Sequence, residues 1–276
     1  MNIKDKLNSL NIVPNKALGQ NFLVDESAIE SIISVSDVGG YGVLEIGAGL
    51  GALTSELIKP AQKVIAVEID KNMLDVLNTL KVESEHGEKL SLIHDDILKV
   101  DFDYIIKELT FGYTQQFKVV GNLPYYITTP ICQKLIKHHA HISQLTLMMQ
   151  TEAATRVSAK PNSAQYGVLS IASQYIYDIE SVLDLSPQSF YPQPDVHSTV
   201  ITMKKHDYDP EIADRLIKIT GICFAMRRKT IQNNLLASGL DRVKASELLE
   251  NANIPPNARA EALKIEDYIR LVKAWK

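Results

Sequence analysis

The chain is predicted to fold as an α/β protein. It has a seven-stranded, mostly parallel Rossmann-like sheet with its last strand antiparallel, and a small C-terminal all-helical domain. Three observations predict this. Short apolar runs alternate with amphipathic stretches through about the first 150 residues, a pattern that calls for parallel strands and right-handed crossovers. The last two apolar runs are joined only by the proline-rich SPQSFYPQPDVH, too short for a crossover helix, so that pair is antiparallel. From about residue 208 the pattern is wholly helical.

Taken in order, the strands are GVLEI (42–46), KVIAVEI (63–69), LSLIH (90–94), FKVVG (117–121), LTLMMQ (145–150), SVLDL (181–185) and STVITMK (198–204). Helical patterns cover 52–59, 71–81, a shorter irregular piece at 97–109, and 130–139, with two more at 151–158 and 165–177. Asp209-Pro210 opens a helix and Met226–Ala237 reads as another, while Gly239 and Pro255-Pro256-Asn257 punctuate the rest. A boundary near residue 204 divides the chain into domains 1–204 and 205–276.

With 45% hydrophobic and 22% charged residues, the composition is that of an ordinary globular protein. MNIKDKLNSL lacks the apolar core of a leader, and no run approaches the roughly 18 to 20 apolar residues of a membrane span. Cys132 and Cys223 have no pairing or zinc-ligand spacing, which fits a reducing, cytoplasmic setting. His138, His139 and His141 have no carboxylate or thiol companions at ligand spacing, so no metal is expected. The net charge of -4 hides an asymmetry. Residues 204–276 carry +4 and the rest -8, which leaves a basic end for an anionic partner.

The strand ends carry the chemistry. VLEIGAGLGALT is a strand, a glycine loop and a helix start, in which Gly47, Gly49 and Gly51 allow close approach to a ligand. The spacing is G-x-G-x-G rather than the G-x-G-x-x-G of dinucleotide folds, which weakens NAD. Glu45 is placed to hold the loop by accepting hydrogen bonds. Glu68, at the end of the second strand, suits a ribose diol, and Asp70 suits a helix cap. Asp95 and Asp96 end the third strand, where one could accept from an adenine amine and one could cap. Ligands of open α/β sheets bind outside these carboxyl ends, and the set reads as S-adenosylmethionine, a nucleoside without phosphates.

The fourth strand brings NLPYY to the same edge. An adenine amino nitrogen is a poor nucleophile because its lone pair is delocalised. Two acceptors aimed at its hydrogens favour the pyramidal form and stabilise the developing positive charge. The Asn122 side-chain oxygen is one acceptor; the Leu123 carbonyl is the other, held extended by Pro124. Tyr125 offers a face for an extruded base, and Phe190, in a loop stiffened by Pro192 and Pro194, could sandwich it. Arg227, Arg228 and Lys229 open a helical run and could hold phosphates, with the helix start adding its own N–H groups.

These motifs together resemble the KsgA/RsmA family of small-subunit ribosomal RNA adenine dimethyltransferases. The resemblance runs through KALGQNFLVD (16–25), VLEIGAGLGALT (43–54), VEID (67–70), VVGNLPYYITTP (119–130), MMQTEAATRV (148–157), FYPQPDVHSTV (190–200), RRKTIQNNL (227–235) and RAEALKIEDYIRL (259–271). It implies a class I methyltransferase sheet, with Asn21 and Leu23 covering the cofactor and Gly47, Glu68, Asp96 and Asn122 contacting it. The implied reaction is dimethylation of two adjacent adenosines in the 3′-terminal hairpin of 16S rRNA, on the 30S subunit, by a monomer. Ala48 replaces the family's usual proline, Tyr126 its asparagine and His197 its aspartate. The rivals are an Erm-type large-subunit methyltransferase, against which NLPYY and RRKTIQNNL argue, and a non-catalytic assembly factor.

Overall fold

The computed structural model describes Leu7, residues 12–110 and residues 115–275. These fall into two compact units. The first takes in the chain up to Ala154 together with Ile179–Lys205; the second takes in Thr155–Asp178 together with the chain from His206 onward. A single cut at residue 204 therefore misses one excursion. Thr155–Asp178 packs with the helical unit because Ala159, Tyr166 and Ile171 belong to that unit's core. The N-terminal segment MNIKDKLNSL lies outside the described residues apart from Leu7.

The strands are β1 (Phe22–Leu23), β2 (Gly42–Ile46), β3 (Lys63–Glu68), β4 (Leu90–His94), β5 (Phe117–Asn122), β6 (Ile142–Gln150), β7 (Tyr177–Leu185), β8 (Phe190–Tyr191) and β9 (Ser198–Lys205). Seven form one sheet in the order β4-β3-β2-β5-β6-β9-β7. β4, β3, β2, β5 and β6 run parallel, and β9 is antiparallel to β6. β2 is buried at all five positions, as expected of an unbroken apolar strand covered on both faces. Ile46 pairs with Val67 and Gly121, Glu68 with His94, and Asn122 with Met148, so the chemically marked strand ends share one edge. β6 begins at Ile142 and β7 at Tyr177, each earlier than its apolar run suggested.

The helices of this unit are α1 (Glu26–Ser36), α2 (Thr54–Leu57), α3 (Lys71–Glu83), α4 (Phe102–Leu109) and α5 (Thr128–Lys137), and α6 (Thr151–Val157) leads out of it. Asp25, Asp70 and Asp101 cap α1, α3 and α4 by accepting a backbone N–H of the first turn. Asp70 thus has the capping role expected of it. The stretch 52–59 condenses to the single turn α2. β1 and β8 pair antiparallel as a separate two-stranded ribbon, Phe22 opposite Tyr191 and Leu23 opposite Phe190.

The second unit holds α7 (Val168–Ile176), α8 (Pro210–Cys223), α9 (Ile231–Ala237), α10 (Arg242–Asn251) and α11 (Ile265–Ala274). Its core includes Tyr166, Leu216, Cys223, Leu235, Leu249, Tyr268 and Leu271. Asp209 caps α8 with Pro210 at its first position, as the sequence indicates. The helix expected from Met226 starts only at Ile231. Asn234 Oδ1 accepts the Met226 N–H at 2.8 Å and its Nδ2 donates to the Met226 and Thr230 carbonyls. That amide closes residues 226–230 into a turn and leaves Thr230 as the cap. Arg227, Arg228 and Lys229 lie exposed in this turn, so they do not open the helix.

Among the described residues no helix is long and apolar enough to cross a membrane. No group of three or more His, Cys, Asp or Glu among them could hold a metal ion. His138 instead stacks on Phe102, with ring centroids 4.3 Å apart.

Candidate functional site

The shared strand edge of the first unit opens into a cavity. Its lining includes Asn21, Gly47, Gly49, Glu68, Asp95, Asp96, Asn122, Leu123, Pro124 and Tyr125. These came from four separate strand ends and the N-terminal motif, and the fold gathers them at one place.

Gly47 shows why its position tolerates no side chain. Its φ is +74°, and a Cβ there would sit 2.7 Å from the Asn122 carbonyl oxygen. The glycine loop therefore presses directly on the end of β5. Glu68 holds the loop's other flank. Its Oε2 accepts the Gly49 N–H at 2.9 Å, and its Oε1 accepts those of Ile69 and Asp70, both at 2.9 Å. A carboxylate has roughly four acceptor sites, so these bonds leave one, on Oε2, for a ligand hydroxyl. Burial raises the Glu68 pKa, and the three N–H bonds oppose that rise.

Glu45 does not hold the loop as the sequence suggested. The Gly47 N–H goes to the Val67 carbonyl and the Gly51 N–H to that of Ala48. Glu45 Oε2 is buried with no hydrogen-bond partner, and so is Thr54 Oγ1. Burial pushes the Glu45 carboxyl up to about 8, and Glu68 adds a like charge. It is one residue back from the strand end, inside the sheet, where loop N–H groups do not reach.

The third strand end works through short turns. Asp95 Oδ1 accepts the Asp96 N–H at 2.7 Å, and Asp96 Oδ1 accepts that of Leu98 at 2.9 Å. Asp96 keeps its second oxygen for a ligand. Lys134 on α5, which sequence reasoning passed over, donates to the Leu98 and Val100 carbonyls at 2.9 and 2.8 Å. It thereby fixes the Asp96 loop against the helix that follows NLPYY. A lysine on an amphipathic helix carries no local mark of such a role.

The NLPYY loop is pinned on several sides. The Leu123 N–H donates to the Met148 carbonyl at 2.9 Å, and the Thr128 hydroxyl donates to the Pro124 and Tyr125 carbonyls. Asn122 Nδ2 donates to the Asn21 carbonyl at 3.1 Å. Because that partner can only accept, the amide orientation is settled and Oδ1 is left as an acceptor. Tyr125 bonds Ser198 Oγ through its hydroxyl at 2.7 Å, and burial raises its pKa, so the phenol stays neutral.

Two expected residues are elsewhere. Leu23 and Phe190 face each other across the β1–β8 ribbon and are buried in the core beside Leu185 and Val200. Side chains alternate along a strand. Phe22 therefore takes the lining position, near enough to Gly49 that a Cβ there would meet its ring at 3.2 Å. Phe190, buried to 1% exposure, offers no face to a base. Gln20 was also missed: it lines the cavity and its Nε2 donates to Asp70 at 2.7 Å.

In the second unit Arg227 is a strut. Its guanidinium donates to the Ala164 and Tyr166 carbonyls at 3.0 and 3.2 Å and lies 3.7 Å from Glu261.

Comparison with known proteins supplies a family. A family model described as "ribosomal RNA adenine dimethylase" matches residues 13–276. The chain is 37% identical over 276 residues to ribosomal RNA small subunit methyltransferase A of Clostridium botulinum (strain Loch Maree / Type A3), covering 98% of this chain and 97% of that one. It is 41% identical over 269 residues to the protein of the same name from Lysinibacillus sphaericus, covering 94% and 90%. In fold it is similar to a dimethyladenosine transferase from Plasmodium falciparum, with TM-score 0.72, 24% identity and coverage of 91% and 95%. It also shares the fold of the 23S rRNA methyltransferase ErmE, at TM-score 0.62, 23% identity and coverage of 92% and 99%.

Proposed function

The chain belongs to the ribosomal RNA adenine dimethylase family, and from that membership we propose how it works. It is an rRNA adenine dimethyltransferase. Its substrate is two adjacent adenosines in the 3′-terminal hairpin of 16S rRNA, presented on the 30S subunit in the cytoplasm, and it acts as a monomer. The observation that carries this reading is the single cavity where the glycine loop, Glu68, Asp96 and the NLPYY loop converge.

The residues present fit S-adenosylmethionine. Gly47 lines the cavity and lets the glycine loop close onto the end of β5, Glu68 retains one acceptor site for a ribose hydroxyl, and Asp96 retains an oxygen for the adenine amine. Asn21 closes the N-terminal side through its carbonyl bond from Asn122. When bound, this group supplies a methyl already activated by the sulfonium. The remaining work belongs to the chain. Asn122 Oδ1 and the Leu123 carbonyl accept from the two N–H bonds of the target amine, which frees its lone pair. Pro124 fixes the spacing of these acceptors, and Tyr125 supports the base. The acidic aminium product then releases its proton without a strong base.

The acidic remainder of the chain, at -8 against +4 for residues 204–276, favours a preassembled subunit over naked RNA. Arg228 and Lys229 are exposed for phosphates, with Arg227 bracing their turn.

The test is labelled-methyl transfer to unmethylated 30S particles, with large subunits as the control for an Erm-type activity, followed by mapping of the modified bases. Asn122→Ala is expected to lose about 100-fold or more in rate while subunit binding persists. Full activity in that variant would sink the mechanism, and labelling of large subunits alone would sink the substrate assignment.

A further inference from the structure

The proposed transfer needs an unpaired base held flat at the cavity mouth, and the aromatic side chains expected to hold it are not equally available. Phe190 is sealed in the core. Tyr125 is half-buried and its hydroxyl is engaged by Ser198. Tyr126 differs from both, being 56% exposed while lining the same cavity.

Its setting is rigid. Tyr126 is the middle residue of the 3-10 turn Tyr125–Ile127, in which the Ile127 N–H donates to the Pro124 carbonyl at 3.2 Å. The Thr128 hydroxyl braces the same turn from below. One edge of the ring is near Gly19, where φ is +63° and an added Cβ would come into van der Waals contact with Tyr126 Cδ1 at 3.4 Å. The neighbour on that edge carries no side chain to cover the ring, and much of its surface is open to solvent. With its backbone held in the turn and only two side-chain torsions, a tyrosine here loses little conformational freedom when something covers it. An exposed apolar plate gains most from a flat, apolar-faced partner.

Chemistry at the adjoining cavity identifies that partner. The free acceptors beside Tyr126 are Asn122 Oδ1 and the Leu123 carbonyl, which select an exocyclic amine. Tyr126 lines the same cavity as Asn122 and Leu123, so its ring is open to a purine whose amine engages those acceptors.

We infer that Tyr126 is a stacking platform for an unpaired purine of the RNA at the cavity mouth, and so a substrate-positioning residue of the methyl-transfer reaction. The inference rests on the reading of the cavity as an adenine methyltransferase site. The ring acts on RNA binding and not on the cofactor.

The experiment uses the full chain with unmethylated 30S particles. Tyr126→Ala raises KM for the particles by about ten-fold or more and leaves kcat and the KM for S-adenosylmethionine near their wild-type values. Tyr126→Phe keeps the ring and brings the KM back, whereas Tyr126→Leu, which lacks a π-face, does not. An unchanged particle KM in Tyr126→Ala overturns the inference. So does a rise in cofactor KM alone, which would assign the ring to seating the Gly19 loop. A second measurement does not depend on turnover. In Tyr126→Trp, emission above that of the native Trp275 is quenched on binding of unmethylated 30S particles, and absence of quenching at particle concentrations that saturate the reaction overturns the platform. If the wild-type chain methylates no small subunit, the reaction assignment fails, and the tryptophan signal still decides whether a base stacks there.

Discussion

Glu45 and Glu68 are buried carboxylates on the neighbouring parallel strands β2 and β3, yet their surroundings are opposite. Glu68 accepts three backbone N–H groups; Glu45 Oε2 accepts none. The strand register explains the difference. Glu45 is opposite Ala66, two residues inside Glu68. Loops change direction just beyond the strand ends and turn their N–H groups toward whatever side chain is there. A carboxylate one step inside the sheet meets side chains and strand backbone already paired in the ladder. Burial is common to both acids, and what separates a binding group from a stranded one is access to unpaired donors.

The largest test of that contrast is Glu68→Ala. It strips three N–H groups of a charged acceptor, and hydrogen bonds to charged groups contribute roughly 1.5–3 kcal/mol each. Cofactor affinity is expected to fall by about 100-fold, measured by calorimetric titration. A change under about three-fold would mean that solvent replaces the carboxylate and that the contrast carries no function.

Glu45→Gln should do less at neutral pH and reveal itself in the pH profile. The Glu45 pKa is raised in the fold from 4.5 to about 8, so between these values the folded state holds a proton that the unfolded state has released. Its contribution to stability is present below pH 4.5 and is lost as pH rises toward about 8. The variant is expected to lack this loss, so its melting temperature gains on wild type across that window and not above it. Parallel profiles would show that Glu45 is ionised in the fold throughout.

Thr54→Val is the smallest change expected. It replaces a buried hydroxyl that has no partner, which is neutral or stabilising by up to about 1 kcal/mol. Denaturant unfolding checks it. A loss above about 2 kcal/mol would mean that the hydroxyl is bonded and that Glu45 is less isolated than its geometry indicates.

Much of the site was legible because the groups that bind ligands in an open α/β sheet sit at strand ends, and strand ends are marked by composition. GVLEI and LSLIH matched their strands at both limits, and Gly47, Glu68, Asp96 and Asn122 all reached the cavity. Side-chain direction was not legible. Leu23 and Phe190 sit in motifs that do approach the site, but two-residue strands alternate their faces, and no local pattern says which face turns inward. Arg227, Arg228 and Lys229 were seen as a basic group, yet the Asn234 amide makes them a turn and no part of a helix.

By itself the sequence determined the number and kind of the strands in the seven-stranded sheet, the antiparallel return, the glycine loop and the chemical types delivered to one edge, though not the β1–β8 ribbon. Those follow from local periodicity and backbone preference, which neighbouring residues already encode. Tertiary structure alone decided that Glu68 holds the glycine loop while Glu45 is stranded. It alone decided that Thr155–Asp178 packs with the helical unit, that Phe190 is sealed, and that Tyr126 is open at the cavity mouth. Each of these depends on which atoms from distant segments come within a few ångströms, and short-range sequence pattern carries no such distances.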